Sequence, residues 1–216
     1  MDVQRIYARR FVPDLQFRNE MWKILCRVFF QRYVHPESHV MEIGAGYCEF
    51  INNIQASRKT AVDLNPDLEK YVGKGIKTVI ANTNQINGIA DNSVDLVFAS
   101  NFFEHLVRDD IVATFQEVYR ILVPGGRFMV LQPNIRFCAR DYWMFFDHVT
   151  AIDDRAFVEG LEINGFEIIQ VIDRFLPYTT KSRLPKALLL IEAYLRLPIA
   201  WRFFGQQSFI LSRKPE

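Results

Sequence analysis

The stretch MEIGAGYCEF, residues 41–50, places two glycines one residue apart directly after a short apolar run. Gly44 and Gly46 permit a tight turn and a close approach of the backbone to a ligand. A dinucleotide site would need a third glycine at position 49, where this chain has Glu49, and a carboxylate there would repel a pyrophosphate. No GK[ST] motif follows, as a P-loop would require. The turn therefore predicts a ligand other than NAD, FAD or a nucleoside triphosphate.

Two carboxylates indicate which ligand that is. Glu42 ends a buried strand, where a carboxylate needs a polar partner, and the ammonium group of S-adenosylmethionine would serve. Asp63 lies 19 positions after Gly44, close to the spacing at which an acid binds ribose hydroxyls. Structural alternatives exist: a salt bridge at the sheet end for Glu42, and a cap or turn role for Asp63, because Asn65-Pro66 follows it.

The elements that position these residues alternate along the chain. We expect apolar strands at 40–43, 60–64, 77–80, 94–99, 128–131, 166–172 and 208–211. Helices are expected at 15–34, 47–55, from Asn65-Pro66, from Asp109 to a stop at 124–126, at 153–164 and from Pro185. This alternation predicts a parallel sheet covered on both faces, with ligands at the carboxyl ends of its strands.

Four stretches, in order, carry a family resemblance: EIGAGYC, AVDLNP, ADNSVDLVFASNFFEHL and EVYRILVPGGRFMVLQPN. They resemble the class I S-adenosylmethionine-dependent methyltransferases, in the small-molecule, type-11-like branch. The resemblance covers about residues 38–172, with a compatible last strand in QSFILSRK. It implies an α/β, Rossmann-like fold: a seven-stranded, mostly parallel sheet with one antiparallel strand and helices on both faces.

The resemblance also implies a cofactor site for S-adenosylmethionine, with S-adenosylhomocysteine as product. The methionine half would be held by Glu42, Gly44, Ala45 and Gly46. Asp63 would bind the ribose, Leu64 would lie beside the adenine, and Asn82 would lie near it. Ser100 and Asn101 would flank the ligand. Two residues depart from the family pattern: Cys48, which we expect to narrow the turn, and Asn82, which replaces an acid.

Acceptor chemistry is expected beyond strands four and five. Methyl transfer needs mainly a positioned nucleophile, and it needs a base only if the acceptor must lose a proton. His148 is the first candidate base, with Asp147 to orient it, and His105 is the second. Tyr142 and its aromatic neighbours could form an acceptor wall. The alternative is that the aromatics are core and the histidines are loop or helix-entry residues.

Residues 174–186 are basic and aromatic, and they follow strand six. Phosphate or carboxylate groups of an acceptor could bind there, through Arg174, Tyr178, Lys181 and Arg183. A solvated loop is the alternative. We therefore expect one domain over residues 1–216, divided into a helical lid (1–37), a cofactor core (38–172), a substrate-recognition insertion (173–206) and a last strand (207–213).

Composition and charge restrict which other classes of protein this chain could belong to. Half of the 216 residues are apolar and the net charge is +1, so bulk charge does not indicate nucleic acid. The three widely spaced cysteines predict no disulfide framework, and no metal site is expected. Residues 187–204 are too interrupted by charge for a spanning helix, and no signal peptide is recognised. We expect a cytoplasmic protein, whose helix at 188–201 could pair with a second copy.

The leading functional hypothesis is transfer of a methyl group to an O, N or C atom of a small molecule, such as a sugar, a lipid-linked or an aromatic metabolite. Three alternatives remain open. Basic residues at 5–18 and 174–186 would suit an RNA or protein methyltransferase. The lack of an unambiguous base would suit a cofactor-binding module without catalysis. An NAD-linked oxidoreductase is disfavoured by Glu49.

Overall fold

The computed structural model describes residues 15–178 and 187–216, and it contains one seven-stranded sheet. The strand order is β3-β2-β1-β4-β5-β7-β6. Only β7 is antiparallel to its neighbours, β5 and β6. The sheet confirms the predicted fold class. The strands are β1 (His39–Ile43), β2 (Arg58–Asp63), β3 (Lys77–Ile80), β4 (Val94–Ser100), β5 (Leu122–Pro133), β6 (Glu167–Ile172) and β7 (Gln207–Arg213).

The helices follow signals that are readable in the sequence. The residues Ile111, Phe115 and Val118, three or four positions apart, are the buried stripe of the fourth helix. Asp153 caps the sixth by accepting the N–H of Ala156. The helices are α1 (Leu15–Val28), α2 (Glu49–Asn53), α3 (Leu68–Tyr71), α4 (Arg108–Ile121), α5 (Ile135–Tyr142), α6 (Asp154–Ile163), α7 (Leu188–Arg196) and α8 (Pro198–Phe204). Short 3₁₀ turns lie at Phe30–Tyr33 and Phe103–His105.

The sheet is buried on both faces, and alternate residues of β1 enter different apolar clusters. Val40 packs into one cluster, and Met41 and Ile43 pack into the other. The first cluster also contains Trp22 and Leu25 of α1. The described part of the predicted N-terminal lid therefore contributes side chains to the core, where their burial stabilises the sheet. Its role as a lid stays a prediction. Residues 1–14 of that prediction lie outside the described residues.

Several predicted boundaries were wrong. Residues 124–126 do not end α4; the helix ends at Ile121 and these residues lie within β5. The helix predicted at 47–55 is only five residues long. Asn65 does not cap α3, whose N-cap is Asp67; instead the Asn65 side chain accepts the N–H of Asp67.

The predicted helix at 188–201 is two helices, because Pro198 cannot donate a backbone hydrogen bond and starts a new helix at its first position. A helix start at Pro185 lies outside the described residues. Within the described part of the chain, no helix has the length and apolar character needed to cross a membrane.

Candidate functional site

The carboxyl ends of β2, β1 and β4 lie side by side at one edge of the sheet. Ile43 of β1 pairs with Val62 on one side and with Ala99 on the other. The glycine turn that follows β1 continues this alignment, since the Ala45 N–H donates to the carbonyl of Val62 at 3.1 Å. The chain order reverses between β1 and β4, and the crevice at such a reversal is where open α/β sheets bind ligands.

Asp63 fastens the glycine turn to the end of β2. Its Oδ2 accepts the N–H of Gly46 and its Oδ1 accepts the N–H of Asn65, both at 2.8 Å. Each oxygen keeps a second lone pair, and the side chain is partly exposed. Asp63 therefore performs the turn role considered above and remains able to accept two ribose hydroxyls, so the residues at this edge fit an adenosyl group.

Three residues of the turn adopt left-handed backbone: Gly44 with φ +61°, Gly46 with φ +47° and Cys48 with φ +58°. A Cβ on Gly44 would lie 2.4 Å from Cδ2 of Phe102, so glycine is required for Phe102 to pack on the turn. The Cys48 side chain is buried in the first apolar cluster. The expectation that Cys48 narrows the turn was wrong, because its side chain points into the core.

Glu42 is 4% exposed. Its Oε2 accepts the N–H of Ile51 in α2 at 2.9 Å, so it has a structural role that the sequence did not predict. Burial raises the pKa of this carboxyl well above its usual range, and nearby Glu49 and Asp63 add to the rise. A contact between Glu42 and the cofactor ammonium stays a prediction.

The raised pKa of Glu42 predicts a pH-dependent stability. Above the unfolded-state pKa the unfolded chain releases this proton and the folded chain keeps it, so the folded state loses stability as pH rises through that window. Glu42→Gln keeps an acceptor for Ile51 and cannot ionise. We expect the natural protein and Glu42→Gln to have similar melting temperatures near pH 4.5. At pH 8 we expect the variant to melt at a higher temperature, by about 2–4 °C for each kcal/mol by which its free energy of unfolding exceeds that of the natural protein. Thermal melts across this range check it, with Glu20→Gln on exposed α1 surface as control. A constant difference across pH would contradict the assignment.

The residues predicted around the adenine and beyond β4 lie at the same edge. Leu64 follows β2 and is 68% exposed, so it offers uncovered apolar surface. Asn82 follows β3 and its side chain accepts from the backbone of Asn84. Asn101 donates to the Ser100 hydroxyl at 2.9 Å and has φ +48°. Their contacts with a cofactor stay predictions.

Glu49 is neutralised within the chain. Its carboxylate accepts two hydrogen bonds from the guanidinium of Arg18, so α1 is tied to the first turn of α2. The argument that a bare carboxylate at position 49 repels a pyrophosphate therefore needs correction, because a bidentate arginine screens it.

A second group of polar side chains surrounds the turn after β4. Glu104, His105, Asp147 and His148 form this histidine cluster. The carbonyl of Glu104 accepts the N–H groups of Val149 and Thr150, at 2.9 and 3.2 Å, which holds the two segments together. The rings of His105 and His148 are 4.9 Å apart and nearly perpendicular. The structure thus brings together the three residues predicted to be catalytic.

Each histidine of the cluster has a partner for one ring nitrogen. His105 Nδ1 lies 3.1 Å from the carbonyl oxygen of Asp147 and 3.4 Å from its carboxylate. His148 Nε2 lies 3.4 Å from the hydroxyl of Tyr178. Glu104 is buried, and burial raises its pKa although His105 opposes the rise. No sequence pattern assigned Glu104 a role, and only its burial in the structure singles it out.

The predicted acceptor residues divide into two groups. Tyr142 is fully buried against His148, and its hydroxyl donates to the carbonyl of Thr150 at 2.6 Å. Tyr178 packs against Phe145 beside the same histidine. Arg174 is different: its guanidinium donates to the carbonyls of Gly205 and Phe203. The structure gives Arg174 a structural role that the sequence did not predict, and its contact with an acceptor stays a prediction. Lys181 and Arg183 lie outside the described residues.

Comparisons with known proteins agree with this fold. Residues 41–130, from β1 into β5, match the family described as "Methyltransferase domain". No curated protein sequence matches the chain. Among solved structures, a SAM-dependent methyltransferase from Archaeoglobus fulgidus superposes with a TM-score of 0.70 at 19% identity, over 94% of this chain and 99% of the other.

Two further structures are similar. One is the complex between the Trm112 methyltransferase activator of Haloferax volcanii and a methyltransferase, with a TM-score of 0.71 at 16% identity, over 99% of this chain and 98% of the other. The other is a SAM-dependent methyltransferase from Thermotoga maritima, with a TM-score of 0.67 at 19% identity, over 97% and 98%. At these identities the structures show a common fold. Residues 41–130 thus match a methyltransferase domain, and the chain as a whole has the fold of S-adenosylmethionine-dependent methyltransferases.

Proposed function

We propose that this enzyme methylates a small molecule at a nucleophilic O, N or C atom. The observation that supports it is the position of the histidine cluster. Glu104 and His105 lie two and three residues after Phe102, which packs on Gly44 of the cofactor turn. One short segment therefore links the expected methyl donor to a buried group of proton acceptors. An acceptor bound between them would meet both.

The carboxyl ends of β2, β1 and β4, together with the glycine turn at Gly44 and Gly46, form the cofactor edge. This edge would bind and orient the methyl donor. When bound, S-adenosylmethionine supplies a methyl carbon that its sulfonium has already activated. Asp63 would accept the ribose hydroxyls, and the glycine turn would lie under the methionine half. Leu64 and Asn82 would contact the adenine, and Ser100 and Asn101 would close the other side. These residues act by positioning, which is the main requirement of an in-line methyl transfer.

The histidine cluster would prepare the acceptor. Asp147 and Tyr178 each hold one histidine in place through a ring nitrogen. A histidine held this way can accept a proton from an acceptor hydroxyl or amine. The aromatic rings of Tyr142 and Phe145 around His148 exclude water and offer apolar surface to an acceptor. A sugar, lipid-linked or aromatic acceptor suits these walls.

Calorimetric titration with S-adenosylmethionine and S-adenosylhomocysteine tests the cofactor site, and turnover of labelled cofactor with acceptor pools tests transfer. We expect His148→Ala to bind the cofactor with unchanged affinity and to lose about 10²–10⁴-fold in kcat. His35→Ala, on an exposed loop, is the control. An unchanged rate in the His148 variant would remove it as the proton acceptor, and no binding at millimolar cofactor would overturn the proposed function.

Two alternatives have their own tests. If the acceptor were RNA, a salt-dependent mobility shift should appear. If the chain were a cofactor-binding module, it would bind the cofactor without turnover. A cytoplasmic location and pairing of two copies stay predictions.

A further inference from the structure

The histidine cluster has the composition of a cation site. Glu104, His105 and His148 each offer one ligand atom, and these three atoms lie within 4.8 Å of one another. Two imidazoles and one carboxylate are a set that binds Zn²⁺ and other divalent first-row metals. The ligands come from two segments, one after β4 and one after α5, that the backbone hydrogen bonds at Glu104 lock together. The site is therefore built into the fold.

The second ring nitrogen of each histidine is already held. Metal-binding histidines usually donate their other N–H to a carboxylate, a carbonyl or another polar group, which fixes the ring and its tautomer. His105 Nδ1 meets the carbonyl and the carboxylate of Asp147, and His148 Nε2 meets the Tyr178 hydroxyl. This assigns Nε2 of His105 and Nδ1 of His148 as the metal-facing nitrogens.

Glu104 supplies an independent observation. It is 3% exposed, and among the residues that the structure describes its Oε2 has no hydrogen-bond partner. A buried carboxylate oxygen without a partner is unfavourable. The His105 Nε2 atom lies 3.9 Å from Oε1 of Glu104, beyond a hydrogen bond. A cation between the two residues would satisfy both.

We propose that Glu104, His105 and His148 bind one divalent first-row transition-metal cation, with Zn²⁺ the best fit. Tetrahedral Zn²⁺ with bonds of about 2.0–2.1 Å needs ligand atoms roughly 3.3 Å apart, so the site closes by small side-chain rotations from its present spacing. The charges of Glu104 and Asp147 balance the ion. Three protein ligands leave a fourth position open, where an acceptor oxygen of the proposed reaction would bind and become more acidic. With the ion bound, His148 would serve the acceptor as a metal ligand and not as the base. This differs from the sequence, which predicted no metal site.

Metal content measures this directly, without methyl transfer. Tag-free protein is stripped with chelator, loaded with Zn²⁺ or Co²⁺, desalted and assayed by plasma mass spectrometry. We expect about one equivalent in the natural protein, and at least a tenfold lower content in Glu104→Gln and in His148→Asn. Bound Co²⁺ should show the visible absorption of a tetrahedral site without a thiolate band, which excludes binding by the cysteines.

His35→Ala is the matched control and should keep one equivalent. Circular dichroism shows whether each variant is folded. If one of the two cluster variants does not fold, the metal content of the other still tests the proposal. Metal content far below one equivalent in the natural protein would overturn the proposal, as would a content in both cluster variants equal to that of the natural protein. Cofactor affinity, measured in the same samples, should not change, so failure of the metal site is separate from failure of the methyltransferase function.

Discussion

Replacing Asp63 by alanine is expected to weaken binding of S-adenosylhomocysteine by about 100-fold or more, because two charge-assisted hydrogen bonds to ribose hydroxyls contribute roughly 1.5–3 kcal/mol each. The two backbone bonds from Gly46 and Asn65 aim the carboxylate, so these hydroxyl contacts need no reorganisation. Isothermal titration calorimetry measures the change. Asp67→Ala is the matched control, since Asp67 lies four residues on and pairs with exposed Lys70.

The turn role of Asp63 could also lower affinity by loosening the glycine turn. A double-mutant cycle separates the two effects, with a cofactor analogue that lacks the ribose 2′-hydroxyl as the second change. If Asp63 binds the ribose, the analogue binds the natural protein more weakly than the cofactor product does. Asp63→Ala then binds the analogue and the cofactor product with nearly equal affinity. Fully additive losses would mean that Asp63 acts only through the turn, and an affinity within about threefold of the natural value would remove both roles.

Replacing Gly205 by alanine should destabilise the fold by about 3 kcal/mol. Gly205 is buried between α8 and β7, and a Cβ there would lie 2.5 Å from the carbonyl carbon of Arg174 and 2.6 Å from the carbonyl oxygen of Trp201. Both are backbone atoms, which cannot rotate away. The φ of Gly205 is −68°, a value that alanine adopts freely. The free-energy penalty is therefore steric. To relieve the clash, the backbone at Arg174, which follows β6, would have to move away from Gly205, which precedes β7.

The matched control for Gly205 is Gly75→Ala. Gly75 has φ +79°, and no heavy atom of the described chain lies within 4 Å of the Cβ position, so the cost is backbone strain alone, about 1–2 kcal/mol. Thermal unfolding should therefore show a drop for Gly205→Ala of about 6–12 °C, at roughly 2–4 °C per kcal/mol for a domain of this size. A smaller drop for Gly205→Ala than for Gly75→Ala would contradict the packing.

The sheet could be predicted because its signals are local. The runs that became β1 to β4 are short, contain adjacent apolar residues without strict polar alternation and are separated by polar turns, and such runs predict buried parallel strands. The ends of helices and strands were harder to predict from the sequence. Pro198 divides the helix predicted at 188–201, and β5 begins before Pro124 rather than after it. Strand bounds there depend on pairing with β4 and β7, which no local pattern contains.

The edge of the sheet at which Gly44, Gly46 and Asp63 lie was predictable in the same way. Gly44, Gly46 and Asp63 stand at spacings that a strand-turn-helix unit imposes on the chain, so sequence positions translate directly into positions at one edge. What those residues contact was not predictable. Glu42 bonds to Ile51 and Glu49 bonds to Arg18. Each partner comes from a helix whose packing angle is set by the whole core.

By itself, the sequence determined the fold class, the order of the elements and which residues follow the strand ends at one edge of the sheet, because these depend on periodicity and on spacing along the chain. Only the tertiary structure decided that α1 is core, that Arg174 holds α8, and that Glu104 joins His105 and His148. Glu104 and His148 are 44 positions apart in the sequence. Their meeting follows from the folding of two loops onto one strand edge, and burial in that place is what gives the carboxylate its chemistry.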